Sequence, residues 1–169
     1  IYASGFEVGT EYKRRSGFDM TGRGGAKLSD HWASGMRTKH GIHAHGFPNA
    51  FFVQPTQGAN LISNVPHNLT DAARTIARVV SHARMTGARE VEVTREAEDR
   101  WVDLLLTGFG RMIGSPDCTP GYYNNEGRGG RDGNASFLGD FYSPGFYAFD
   151  ELLADWRARG DLDGLELRS

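Results

Sequence analysis

One stretch limits the fold more than any other. From Asn64 to Gly87, apolar residues recur at helical spacing: Leu69, Ala72, Ala73, Ile76, Val79, Val80 and Ala83. A period of 3.6 gathers them on one side of a helix, and a helix with an apolar stripe must bury it against other elements. Both ends are marked. Asn64 is a strong N-cap, and Pro66 stands near the first helical position, where its missing N–H costs little. Gly87 suits the left-handed residue that ends a helix. A chain of 169 residues can cover such a stripe with one core. It cannot also house two complete nucleotide-binding domains and a substrate domain.

Two further helices follow from the same reasoning. The first runs from Arg95 to Leu106, capped by Thr94, with Glu96, Glu98 and Asp99 at its positive end. Its expected buried face is Trp101, Val102, Leu105 and Leu106. The second runs from Phe146 to Arg159. Phe149, Leu152, Leu153 and Trp156 lie at i, i+3, i+4 and i+7, and Gly160 ends it. Residues 164–167 read as a short final strand. Residues 1–63 read as short strands and turns punctuated by glycine. Within them, residues 28–32 form a helical turn with Ser29 as a cap, and Ala50-Phe51-Phe52-Val53 reads as a buried strand. The expected fold class is α/β, with short strands, three main helices and one long loop from Gly108 to Gly145. That loop holds six aromatic residues, Phe109, Tyr122, Tyr123, Phe137, Phe141 and Tyr142. Loops of such length inside compact domains are usually functional or disordered.

Composition excludes several classes. A net charge of −2 lacks the basic excess of a nucleic-acid binder. No apolar run reaches the ~18 residues of a membrane span, so a cytoplasmic, membrane-free protein is expected. The lone Cys118 rules out an internal disulfide framework and fits a reducing compartment. Beside Asp117 its thiolate is disfavoured, which makes it a poor nucleophile. Glycine accounts for 23 residues, yet neither the cluster at 108–114 nor that at 127–133 has the dinucleotide spacing, and no phosphate-binding loop occurs. His40, His43 and His45 lie close in sequence, but a closed zinc site needs four ligands at recognisable spacing. A polar strand face is the plainer reading, so no metal is expected. The start of the long helix stands out, because unpaired N–H groups and the helix dipole meet there.

Several segments, in order, resemble the Baeyer–Villiger monooxygenases. Ile1-Tyr2-Ala3-Ser4-Gly5-Phe6 resembles that family's A-T-G-F segment. Arg37-Thr38 and Gly41, then Gly46-Phe47-Pro48-Asn49 and Phe51-Phe52, resemble R-T-x-x-G…G-F-P-N-x-F. Leu61-Ile62-Ser63-Asn64 resembles L-x-N-M, with Val65 in the place of Met. Glu96-Ala97-Glu98-Asp99 and Trp101-Val102 resemble E-x-E-D-x-W-V, and residues 118–127 resemble a segment of the branch that accepts large ketones.

The resemblance implies a C-terminal fragment of a flavoprotein with two dinucleotide-binding domains. Residues 1–45 would be the tail of the NADPH-binding domain and linker strands. Residues 46–107 would be the C-terminal part of the FAD-binding domain, and 108–169 a cofactor and substrate loop with a final helix and strand. Gln54, Ser63, Asn64 and Val65 would lie on the FAD side, and Tyr122 and Tyr123 on the NADP and substrate loop. The whole protein would insert one atom of O2 beside a ketone to give an ester or lactone. Both nucleotide fingerprints and the family's catalytic Arg lie upstream in relatives, so the fragment holds no catalytic residue. It would be inactive without the upstream portion of the polypeptide. An N- or S-oxygenating flavin monooxygenase and a non-catalytic binding module are the alternatives.

Overall fold

A computed structural model describes residues 12–53, 57–58, 64–107, 119 and 141–169. The opening segment 1–6, Gln54, Ser63, Cys118, Tyr122, Tyr123 and both glycine clusters lie outside the described residues.

The long helix forms as its stripe predicts. It is preceded by α1 (Tyr12–Ser16), a 3-10 turn (Arg23–Gly25) and α2 (Leu28–His31), and α3 spans Val65–Thr86. Asn64 Oδ1 accepts the His67 N–H at 3.2 Å. At the other end Gly87 takes φ 73°, and the Ala88 N–H closes back on the Ala83 carbonyl at 2.9 Å. The buried face is narrower than the stripe. Ala72, Thr75, Val79 and Ala83 are buried with Asp71, whereas Ala73 and Val80 face outward. Thr75 can take a core position because its hydroxyl donates to the Asp71 carbonyl.

The next helix, α4 (Arg95–Thr107), begins at the expected cap, with the Ala97 N–H bonded to Thr94 Oγ1 at 3.1 Å. Ala97, Glu98, Trp101, Val102 and Leu105 are buried. Leu106 is 43% exposed, against expectation. The buried face is centred on the Glu98–Trp101–Leu105 line, and Leu106 lies a further 100° around the helix. The last helix, α5 (Phe146–Arg159), has the expected bounds, with Phe149, Leu153 and Trp156 buried.

The strand expected at 164–167 is β2 (Leu165–Arg168), and its partner is β1 (Glu90–Val93), which the helical reading passed over. They pair antiparallel, with Val91 opposite Leu167 and Val93 opposite Leu165. The fold is therefore mixed helix and strand. Residues 50–53 are not a strand. Ala50, Phe51 and Phe52 are half-buried and Val53 is exposed, while the Phe52 N–H bonds the Ile42 carbonyl at 2.8 Å. Ser29 does not cap α2. Its hydroxyl and N–H both bond the Asp19 carboxylate instead.

Among the described residues, three apolar clusters form the core. Leu28, Trp32, Met36, Ala44 and Phe47 form one. The other two share α5: Trp101 and Leu105 of α4 meet Phe149 and Leu153, and Val79 and Ala83 of α3 meet Trp156 with Val91 and Leu162. An ion pair reinforces the α3–α5 contact. Arg157 NH1 lies 2.8 Å from Asp71 Oδ1 and donates to Thr75 Oγ1 at 2.9 Å.

Candidate functional site

The start of α3 has the character of a site for an anion or an electron-rich carbonyl. Pro66 has no N–H, the His67 N–H is taken by the Asn64 side chain, and the Asn68 N–H bonds the Asn64 carbonyl. That leaves the half-buried Val65 N–H without an acceptor among the described residues. It sits at the positive end of a 22-residue helix. The turn is braced from the side by α5. His67 Nε2 lies 3.0 Å from Asp150 Oδ1, and its ring meets Phe146 edge-on.

Upstream, a buried polar junction ties four segments together. Gln57 is fully buried in the left-handed conformation, φ 58°. Its Oε1 accepts from Thr38 Oγ1 at 2.6 Å, and its Nε2 donates to the Met36 carbonyl. Its own carbonyl accepts the Trp101 indole N–H at 2.9 Å. The neighbouring Gly58 carbonyl accepts the Tyr142 N–H at 2.9 Å. Tyr142 stacks on Trp101, with ring centroids 5.6 Å apart. Sequence reasoning singled out Gln54 and missed Gln57, Thr38 and the Trp101 indole. A glutamine in a loop carries no local sign of burial, and only the four converging segments reveal it.

The remaining motifs interlock. Arg37 is bonded to Asp99, and Glu98 Oε1 accepts the His45 N–H at 2.8 Å. His31 Nε2 also stands 3.1 Å from the Glu98 carboxylate. The R-T segment and His45, the residue just before G-F-P-N, are thus bound to the E-x-E-D segment by charge-assisted hydrogen bonds. Asn49 then docks on β1: its N–H bonds the Val91 carbonyl at 2.9 Å and its Oδ1 accepts the Val91 N–H at 3.0 Å. Glu92 accepts from the Gly46 N–H at 2.8 Å and pairs with Arg23 and Arg168. Burial pushes the Glu92 carboxyl up, but the bonds from Arg168 and Gly46 and the Arg23 charge outweigh it, so its pKa is lowered.

The three histidines do not share a strand face. A lone bridge joins Lys39 and His43, and the chain turns between them. His40, at φ 57°, packs edge-on against Trp101 and Trp156. His43 sits against Phe51, and His45 Nδ1 is 2.9 Å from the Val93 carbonyl. Burial, with the Lys39 charge second, holds His43 at a pKa of about 3, and the same causes keep His40 well below its ordinary value. Among the described residues, no group of three or more His, Cys, Asp or Glu is placed to hold a metal ion.

No family model matches the chain. Individual proteins do. It is 39% identical to a Baeyer–Villiger monooxygenase of Streptomyces coelicolor over 93% of its own length and 25% of that protein's. It is 37% identical to the FAD-binding monooxygenase hmp7 of Hypomyces subiculosus, over 98% and 27% respectively. Among solved structures, it superimposes on a polycyclic ketone monooxygenase of Thermothelomyces thermophila with a TM-score of 0.77 at 30% identity, covering 96% of this chain and 26% of that one. Cyclohexanone monooxygenase of Rhodococcus sp. Phi1, bound to NADP+, gives a TM-score of 0.72 at 25% identity, with 95% and 29% covered. The chain spans between 25% and 29% of the length of these relatives. With the ordered motifs and their mutual hydrogen bonds, these similarities place the chain in the Baeyer–Villiger monooxygenase family, as a C-terminal portion of such an enzyme.

Proposed function

We propose that the chain supplies the flavin-facing helix start and the cofactor and substrate loop of an FAD- and NADPH-dependent Baeyer–Villiger monooxygenase. The whole enzyme inserts one atom of O2 beside a ketone, giving an ester or lactone. The observation that carries this reading is the Val65 N–H at the positive end of α3, which has no acceptor among the described residues. When bound, FAD reduced by NADPH supplies the oxygen-activating chemistry. The chain's part is electrostatic: the Val65 N–H and the α3 dipole favour negative charge on the pyrimidine edge of the ring. Asn64 keeps that donor in place by closing the first turn.

Gln54 and Ser63 belong to the same flavin side in this reading, and Tyr122 and Tyr123 to the NADP and substrate loop, where aromatic faces suit ribose or ketone. The division at 45 and 107 is part of the same reading. Similarity to a polycyclic ketone monooxygenase supports a bulky ketone as substrate. No helix among the described residues is long and apolar enough to cross a membrane, and the lone cysteine favours the cytoplasm.

The test is turnover of a polycyclic ketone by the full-length enzyme with NADPH and O2. Formation of a lactone heavier by one oxygen supports the reading, with no turnover by residues 1–169 alone. Oxidation of amines or sulfides without lactone formation would instead assign the protein to the N- or S-oxygenating enzymes.

A further inference from the structure

We propose that Gln57 is a positioning residue, whose buried amide fixes where the start of α3 is presented to the flavin; this rests on the monooxygenase reading above. Two chain segments meet the same turn of α5. Gly58 lies against the Phe149 ring so closely that a Cβ there would fall 2.8 Å from Phe149 Cζ. One residue further on, Asp150 pairs with His67 in the first turn of α3. Gly58 and the first turn of α3 are therefore held by adjacent residues of one helix. Moving Gln57 shifts the upstream anchor, and α3 must follow or lose its brace.

The side chain at 57 must be an amide. Thr38 Oγ1 accepts the Gly41 N–H at 3.1 Å and donates onward to Gln57 Oε1. Gln57 Nε2 in turn donates to the Met36 carbonyl. Position 57 must accept on one side and donate on the other, inside a region closed to water. A carboxylate would set a second oxygen against the Met36 carbonyl. An apolar side chain would leave the Thr38 hydroxyl without its acceptor and take a donor from the Met36 carbonyl. The backbone adds to the demand, since the Gln57 carbonyl must stay on the Trp101 indole while its φ is left-handed.

The experiment uses the full-length enzyme, stripped of FAD and titrated with FAD by fluorescence. Wild type, Gln57→Met, Thr38→Val, Thr38→Ser and the core variant Val79→Ala are compared, with the melting temperature of each. Loss of a buried hydrogen bond is expected to weaken FAD binding about tenfold in Gln57→Met and Thr38→Val. Thr38→Ser, which keeps the hydroxyl, retains wild-type affinity. Val79→Ala melts lower but binds FAD normally. If Gln57→Met does not fold, the Thr38 pair decides alone. Wild-type affinity in both Gln57→Met and Thr38→Val, or losses no greater than that of Val79→Ala, would overturn the proposal. Failure of the wild-type protein itself to bind FAD would instead overturn the monooxygenase reading.

Discussion

Glu98 and His45 are 53 residues apart, yet the buried carboxylate of one accepts the backbone N–H of the other at 2.8 Å. Glu98 is wholly excluded from water, with the His31 ring and the Arg37 guanidinium beside it. Truncation to Ala removes the partner of the His45 N–H and of His31 Nε2, while Arg37 keeps Asp99. Glu98→Ala should cost about 2 kcal/mol, from a buried donor left unsatisfied, and Glu98→Gln less, because the amide oxygen can still accept from His45. Chemical denaturation of the full-length enzyme with each variant checks this. Equal stability of wild type and Glu98→Ala would show that the contact contributes nothing.

His43 makes stability fall in mild acid. Its folded pKa is about 3 against an ordinary value of 6.5, so the folded state keeps the ring neutral while the unfolded state takes up the proton. The contribution is complete above pH 6.5 and is lost progressively as pH falls towards 3. At pH 5 the loss from this ring amounts to about 2 kcal/mol. His43→Phe keeps a ring against Phe51 and removes the buried Nε2, which has no partner among the described residues. The stability difference between pH 7 and pH 5 should therefore shrink in this variant, as read from denaturation midpoints at both values. An unchanged difference would mean that His43 is not the group responsible.

Gly22 is required by a neighbour, not by its own torsions. A Cβ there would fall 2.2 Å from the Gly46 carbonyl oxygen, which already accepts the Arg23 N–H at 2.7 Å. Gly17 is left-handed, but its Cβ would meet nothing within 4 Å. Gly22→Ala should therefore destabilise by about 3 kcal/mol, through a backbone shift, and Gly17→Ala by about 1 kcal/mol, from torsion alone. Melting curves of the two variants give the order, and the reverse order would refute the close approach.

Arg157 holds α3 to α5 through Asp71 and Thr75. Arg157→Met leaves the buried Asp71 carboxylate unpaired and should cost about 3 kcal/mol. Replacing both partners together, as Arg157→Met with Asp71→Leu, should recover much of that loss, because an apolar pair has no charge to desolvate. A double variant no more stable than Arg157→Met would show that the contact works through something besides charge.

Local pattern was enough to place the helices. Asn64, Thr94 and Gly160 mark ends that depend only on nearby backbone, and the spacing of Phe149, Leu153 and Trp156 gives α5 its inner face. The β1 strand escaped because Glu92, which reads as a solvent-facing residue, is buried against Arg168 and Gly46. The width of each buried face escaped as well, since Val80 and Leu106 are apolar whether or not anything covers them.

The sequence by itself determined the three main helices, their ends at Asn64, Gly87, Thr94 and Gly160 and, through the order of its motifs, the family. Those properties rest on short-range spacing, which a linear chain displays openly. Only the tertiary structure decided why the motifs are there: Arg37 reaches Asp99, Glu98 reaches His45, and Gln57 binds Thr38, Met36 and Trp101. Hydrogen bonds between segments tens of residues apart leave no periodic trace. A buried polar side chain becomes intelligible only when its partners from other segments are in place.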